Sequence, residues 1–559
     1  MNASKSIAIR PQSQTQNHLR RVALASLVFL IAALLTLPLF GVIIGSMGES
    51  DGTWSHLSET VLSEYVINTL ALLLMVGVLT GSIGTVSAWL VTSIEFPGRK
   101  VVEWLLVLPI ASPAYIASYV YTDLMDYAGP VQSALRGLMG WGADDYWFPA
   151  IRTLPGAGLV LSFVLYPYVY LLARSAFLNQ SQTRFAAARS LGASPLRAFW
   201  SVALPAARAA ILGGIALTLM ETAADFGVAD YFGVPTFSTG IYRAWYGMGD
   251  PVSALRLSGL LLVIMAILVM AERRFRPSQA NNDIARDTVL RRMKPSRPLQ
   301  WLAAFACIMP ILIGFAFPVA RLIYLAAGDI ARNGMPQFVS FATNSVTMSV
   351  IAAGLTLALS LFLAYAQRGR TRNQKTGPMS AATRLATLGY ALPGTLLAVG
   401  LLLPMTTIDK SISRWMLDQF GWAPGLFLTG TVVTLIYAYV IRFLTVSYNT
   451  VEPAVSSIPR AMDEAARTLG SRLSRIVFEV HLPGLKPALY SAGLLVFIDT
   501  MRELPATLLL RPANFETLAT QVYRLASDER LAEASVAALI LIAIGILPVM
   551  LITRANLKS

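Results

Sequence analysis

Long apolar runs recur along the chain, separated by short polar segments rich in Lys and Arg. A helix needs about 20 residues to cross the hydrocarbon core of a bilayer. Runs near 22–47, 66–93, 101–122, 157–173, 209–229, 252–271, 301–326, 342–366, 385–405, 425–441, 488–510 and 534–553 approach that length. The pattern predicts an all-α integral membrane protein with about 12 transmembrane helices. The first run, VALASLVFLIAALLTLPLFGVIIGSM, is too long for a signal-peptide core and lacks a small-x-small cleavage site. It reads as a retained span. Pro109, Pro113 and Pro393 interrupt the third and ninth spans, as in broken helices that line pathways or in packing kinks.

Composition agrees with this reading. Of 559 residues, 55% are hydrophobic and 13% charged, and mean hydropathy is +0.60. A soluble domain does not bury that much apolar surface. A net charge of +14 raises the question of nucleic acid, and the placement of charge answers it. With the N-terminus inside, most of the 44 Lys and Arg fall in cytoplasmic segments, and most of the 30 Asp and Glu fall outside. This positive-inside bias puts both termini in the cytoplasm and assigns the basic charge to topology, with no nucleic-acid partner. Cys307 is the only cysteine, which excludes an internal disulfide, and His18, His56 and His481 are scattered and read as surface residues.

The segment 272–298 is rich in Arg, Asn, Ser and Pro and divides the chain near its middle. It predicts a cytoplasmic linker (272–300) between a first transmembrane half, 1–271, and a second, 301–559. The halves resemble each other. Gly192 matches Gly470 and Pro205 matches Pro483 at an offset of 278, and Glu221-Thr222 matches Asp499-Thr500 at the same offset. Asn68 matches Asn344 at 276, and TFSTGIYRAW parallels NFETLATQVYRLA. Two parallel repeats of six spans about an axis along the membrane normal would give this pattern, with a pathway on that axis.

Two polar passages stand out from the apolar background. DEAARTLGSRLSRIVFEVHLPG at 463–484 predicts a short helix broken at Gly470, then an amphipathic helix that stops at Leu482-Pro483. Leu473, Ile476, Val477 and Val480 form the apolar stripe of that second helix. AAARSLGASPLRAFWSVALPA at 186–206 is a degenerate copy. An interfacial helix on anionic lipid would suit one such passage. Two copies at matched positions, each just before a span, favour docking to a symmetric dimer.

The spacing Glu-Ala-Ala, three residues, Gly, nine residues, hydrophobic, any residue, Leu-Pro resembles the signature of permeases in binding-protein-dependent ABC importers of type I architecture. Glu464, Ala465, Ala466, Gly470, Leu482 and Pro483 match it, and Ala187, Ala188, Gly192, Leu204 and Pro205 match it in the first half, where Ala186 replaces the Glu. ETAADFGVADYFGVPTFSTGIYRAWY resembles the ferric-iron branch of fused, two-half permeases. The resemblance implies a bacterial inner-membrane permease, and it implies two partners. One is a homodimeric ABC ATPase that carries ATP and Mg on the cytoplasmic side. The other is a periplasmic binding protein that delivers ferric iron. Relatives carrying thiamine, 2-aminoethylphosphonate or polyamine share the layout. No G-x-x-x-x-G-K-[ST] phosphate cradle occurs in the sequence, so the chain itself reads as neither enzyme nor cofactor binder. A twelve-span secondary carrier is the rival class, and duplicated handles have no role in it.

Four acids lie within predicted spans. Glu221 sits about 20 Å above Arg208 at ~1.5 Å per residue, and Asp225 follows at i+4 on the same helical face. Asp499 and Glu503 repeat the pair. An acid facing lipid at such depth costs at least ~2.5 kcal/mol, so these should face a cavity or a partner. Two readings stay open: a gate or salt-bridge network with Arg502, Arg243 or Arg511, or oxygen ligands for a hard cation, with Glu221 and Asp499 as candidates. Tyr115, Tyr119 and Tyr121 read as an interfacial aromatic belt.

Overall fold

The computed structural model describes residues 13–50, 52–142, 144–178, 190–192, 194–275, 292–333, 338–368, 377–471 and 475–558. Apart from an isolated bridge between Ile94 and Met293, the described residues form helices and turns. Among the described residues, eight helices are long and apolar enough to cross a membrane, or ten if each of two bent pairs is one span. This is fewer than the twelve expected. At 488–510 the helix Leu482–Met501 carries Lys486 and Asp499, which dilute its apolar character, and at 534–553 the apolar stretch is the shorter Leu531–Leu547.

The two bent pairs have local causes. Val22–Leu35 and Leu37–Gly45 meet at 47°, where the Thr36 hydroxyl bonds the Ala32 carbonyl and Pro38 lacks an N–H. Arg99–Ala111 and Ala114–Met139 meet at 93° around Pro113, whose neighbour Ser112 is extended.

The halves interpenetrate. The first bent helix of the chain packs on the second half, where a Cβ on Gly41 would lie 1.9 Å from the Gly400 carbonyl oxygen. Reciprocally, a Cβ on Gly314 would lie 2.2 Å from the Phe163 carbonyl oxygen of the first half. Both contacts require glycine because backbone meets backbone. Gly41→Ala should therefore destabilise by about 1–3 kcal/mol through overpacking. Thermal unfolding in detergent checks this, with Gly48→Ala, where the nearest group is the Val252 side chain at 3.1 Å rather than backbone, as the milder control. Of the linker, residues 276–291 lie outside the described residues, and Met293 returns to pair its backbone with Ser93 and Glu95.

The predicted stop at Leu-Pro does not occur. In each copy the helix runs through it by a π-helical turn, Phe199–Ala203 and Ile476–His481. Wider hydrogen bonds, Leu204 N–H to the Phe199 carbonyl and Leu482 N–H to the Val477 carbonyl, let the chain pass the missing proline donor. Each amphipathic handle is thus continuous with the span that follows it.

Candidate functional site

The helix Leu204–Ala224 carries Glu221 one turn from its end. It stops at Asp225 because that carboxylate caps the next helix, Gly227–Tyr231, accepting the Val228 N–H at 3.0 Å and the Ala229 N–H at 3.2 Å. The second half repeats the device: Leu482–Met501 ends before Glu503, which accepts the Ala506 N–H at 3.0 Å to cap Pro505–Leu510. The expected i+4 face shared by Glu221 and Asp225 is therefore absent, since the helix ends between them. The same is true of Asp499 and Glu503.

All four acids nonetheless line one cavity of about 170 Å³ built from both halves. Tyr390 donates to Glu221 at 2.7 Å, from the 3-10 turn before the broken second-half helix into the first-half span. At the matched place in the other half, Ile110 offers its carbonyl to Arg502 at 2.7 Å, and Arg502 also grips Asp499 at 2.7 Å. Each broken helix thus ties down the acid-bearing span of the opposite half. Arg442 pairs with Glu503 at 3.2 Å.

Arg442 was missed at the sequence level, where it was counted among the cytoplasmic positives. It lies within the helix Val432–Ser457, buried against the cavity. A charged residue inside YAYVIRFLTV was the available signal. Arg243 and Arg511, the expected neighbours, do not line the cavity, and Arg511 pairs with Glu516. Among the described residues, no group of three or more His, Cys, Asp or Glu is placed to hold a metal.

The predicted belt of tyrosines is inside the protein. Tyr115 and Tyr119 are buried, and the Tyr119 ring packs on Tyr231 at 4.4 Å. Tyr121 donates to the Ile313 carbonyl at 2.5 Å. Tertiary packing of the broken helix decides this, because its bend takes these rings into the core.

In the second handle, Arg460–Thr468 ends in two wrapped bonds, Ser471 N–H to the Ala466 carbonyl and Gly470 N–H to the Arg467 carbonyl. This Schellman geometry needs a left-handed residue, and Gly470 has φ 77°. Gly192 has φ 84°, the same conformation, while Ala187 and Ala188 lie outside the described residues. Ala466 is buried, and Glu464 and Ala465 face outward. Matched apolar residues also stay bare: Leu191 and Leu469 are 87% and 85% exposed, and Trp200 and Phe478 are 62% and 67% exposed. Sequence reasoning passed over these pairs, although the 278 offset relates them.

His481 is not at the surface. It is 2% exposed, 2.7 Å from Asp463 and 3.0 Å from the Tyr365 hydroxyl, and its ring stacks on Tyr365. Arg368 also binds Asp463, at 3.1 Å. Burial pushes the Asp463 carboxyl up, but the hydrogen bond and charge of Arg368, with His481, outweigh it and hold the group below the ordinary carboxylate range. The first half ties its handle with rings instead, Trp89 packing on Phe199 at 5.0 Å.

The two halves share a further pair of contacts. Asn68 donates to the Pro235 carbonyl at 3.1 Å and Asn344 to the Glu516 carbonyl at 3.0 Å. The Phe237 N–H reaches Thr69 at 3.3 Å, and the Leu518 N–H reaches Ser345 at 2.8 Å.

No family model matches the chain. An Fe(3+)-transport system permease protein of Haemophilus influenzae is 25% identical over 504 residues, 89% of this chain and 91% of that one. A probable ABC transporter permease protein of Sinorhizobium fredii is 25% identical over 76% of this chain and 74% of its own. A sulfate transport system permease protein of Escherichia coli strain K12 is 35% identical over 144 residues, 26% of this chain and 47% of that one. Its relatives are transport permeases, and this multi-pass helical chain is a relative of ABC transporter permeases.

Proposed function

We propose that this chain forms the membrane pathway of an ABC importer that takes up ferric iron delivered by a periplasmic binding protein. Its twelve spans form two parallel repeats, 1–271 and 301–559, joined by the linker 272–300, with both termini in the cytoplasm. A homodimeric ATPase, which carries ATP and Mg, grips the handles through Glu464, Ala465, Leu469 and Phe478 and, in the first half, Leu191 and Trp200. The observation that carries the reading is the pair of handles. Each has a left-handed glycine and bare apolar residues at matched positions, and each continues without a break into a span that bears a cavity acid.

Iron is supported by the full-length similarity to an Fe(3+)-transport permease and by the cavity lining. That lining has four carboxylates against Arg442 and Arg502, a balance that favours a hard cation held by oxygen. Glu221 is the leading candidate to meet the cation, because Asp499 and Glu503 already hold arginines. Sulfate is the second reading, supported by the sulfate-permease relatives, and the same net charge opposes it.

Uptake of radiolabelled Fe(III) and of sulfate by cells with and without the chain tests both. Replacing Glu221 with Gln and Asp499 with Asn together changes charge with little change in volume. Iron uptake should fall at least ten-fold while ATP hydrolysis stimulated by the loaded binding protein persists. Unchanged uptake and unchanged ATPase in reconstituted vesicles would leave both acids purely structural.

A further inference from the structure

The broken helix of the first half carries a row of buried hydroxyls for which the fold supplies no use. Tyr115, Tyr119 and Thr122 follow the spacing i, i+4, i+7 on one face of the helix Ala114–Met125, and Ser112 lies at the extended break just before it. They are 2%, 6%, 0% and 2% exposed. The hydroxyls of Ser112, Tyr115 and Tyr119 have no hydrogen-bond partner. Buried polar groups are nearly always paired, so three orphans in a row mark a place where a ligand or water belongs. Ser112 and Tyr115 line the cavity that holds Glu221 and Asp499. Tyr119 continues the row to Tyr231, and close by Tyr523 donates to Asp230 at 2.5 Å.

The matched row of the second half, at an offset of 280, reads Leu392, Thr395, Val399 and Leu402. All four are buried, and Thr395 alone brings a hydroxyl. At equivalent positions the first half thus offers four hydroxyls and the second half one, which is likewise unpaired, and none of the second-half row lines the acid cavity. A hydrated cation leaving water loses solvation that only polar atoms replace, so it follows the oxygen side.

From this asymmetry we infer that the hydroxyl row Ser112–Tyr115–Tyr119–Thr122 is the solute-binding ladder of the pathway. The route between the acid cavity and Tyr231 thus follows the broken helix of the first half rather than its counterpart in the second. The inference rests on the pathway reading above. The ligand class is a small hydrated cation or its water shell, held by neutral oxygens that both donate and accept. Neutral oxygens suit a passage, since they replace water without trapping the ion as fixed carboxylates would.

The test is thiol accessibility in cells that make the complete transport system. Ser112→Cys, Tyr119→Cys and Thr122→Cys are compared with Leu392→Cys, Val399→Cys and Leu402→Cys, each labelled with a membrane-impermeant methanethiosulfonate. Cys307, fully buried, sets the background in the parent chain. First-half positions should label at least ten-fold faster than their second-half counterparts. Equal labelling in both halves, or faster labelling in the second, overturns the proposal. This comparison does not depend on which solute is carried: absent iron uptake in the parent chain defeats the iron reading, while the labelling ratio still decides the ladder.

A second measurement covers poorly folding cysteine variants. Tyr115→Phe with Tyr119→Phe removes two unpaired hydroxyls and keeps the rings. The melting temperature should hold or rise, and uptake should fall at least five-fold. A lower melting temperature with unchanged uptake would show the hydroxyls to be structural and overturn the ladder.

Discussion

Gly470→Pro should abolish uptake while leaving the chain inserted in the membrane. Gly470 sits at φ 77°, and its N–H donates to the Arg467 carbonyl at 2.9 Å. Proline fixes φ near −65° and has no N–H, so both the turn and a capping bond are lost. The damage is local, because no atom lies within 4 Å of a Cβ built at Gly470. Gly470→Ala separates the causes, since it keeps the N–H and meets only the left-handed strain of about 1–2 kcal/mol. Its uptake should fall between the parent and the proline variant. The measurements are membrane yield, co-purification of the ATPase and solute uptake. Normal uptake with Gly470→Pro would remove the handle from the coupling mechanism.

Arg442→Met should be among the most destabilising single changes in the protein. The Glu503 side chain is 4% exposed and Arg442 is its cationic partner. Removing one member of a buried pair leaves an uncompensated charge, at a cost of about 3–5 kcal/mol. Glu503→Gln added to Arg442→Met should recover most of that loss. The amide removes the charge and still offers an oxygen to the Ala506 N–H, the cap that starts Pro505–Leu510. A double-mutant cycle on thermal unfolding in detergent measures the coupling. A shift below about 0.5 kcal/mol for Arg442→Met alone would mean that water reaches Glu503 freely, and the cavity would then be an open vestibule.

Sequence alone determined the features that rest on local chemistry. Apolar runs of bilayer length fixed helices in a membrane, because a backbone without water must satisfy its own hydrogen bonds. The sequence of 463–470 predicted a short helix broken at Gly470, and the helix ends there because glycine takes the left-handed position of a Schellman turn. The internal offsets of 276 and 278 pointed to Asn68 with Asn344 and to Glu221 with Asp499 as equivalent pairs, and the members of each pair occupy equivalent places.

Tertiary structure decided whatever depended on what faces what. A hydropathy pattern carries no record of partners. Arg442 therefore read as the cytoplasmic end of a span until the Glu503 beside it was known, and His481 read as a surface residue until Asp463 and Tyr365 closed around it. The break after Ala224 could not be foreseen from helical periodicity, because a cap formed by Asp225 on the following helix ends it. The tyrosines of the first broken helix looked amphipathic enough for a lipid interface, and the 93° bend carries them into the core instead. Only the packed structure, by burying the Tyr115 and Tyr119 rings and leaving their hydroxyls unpaired, set these two apart from an interfacial anchor.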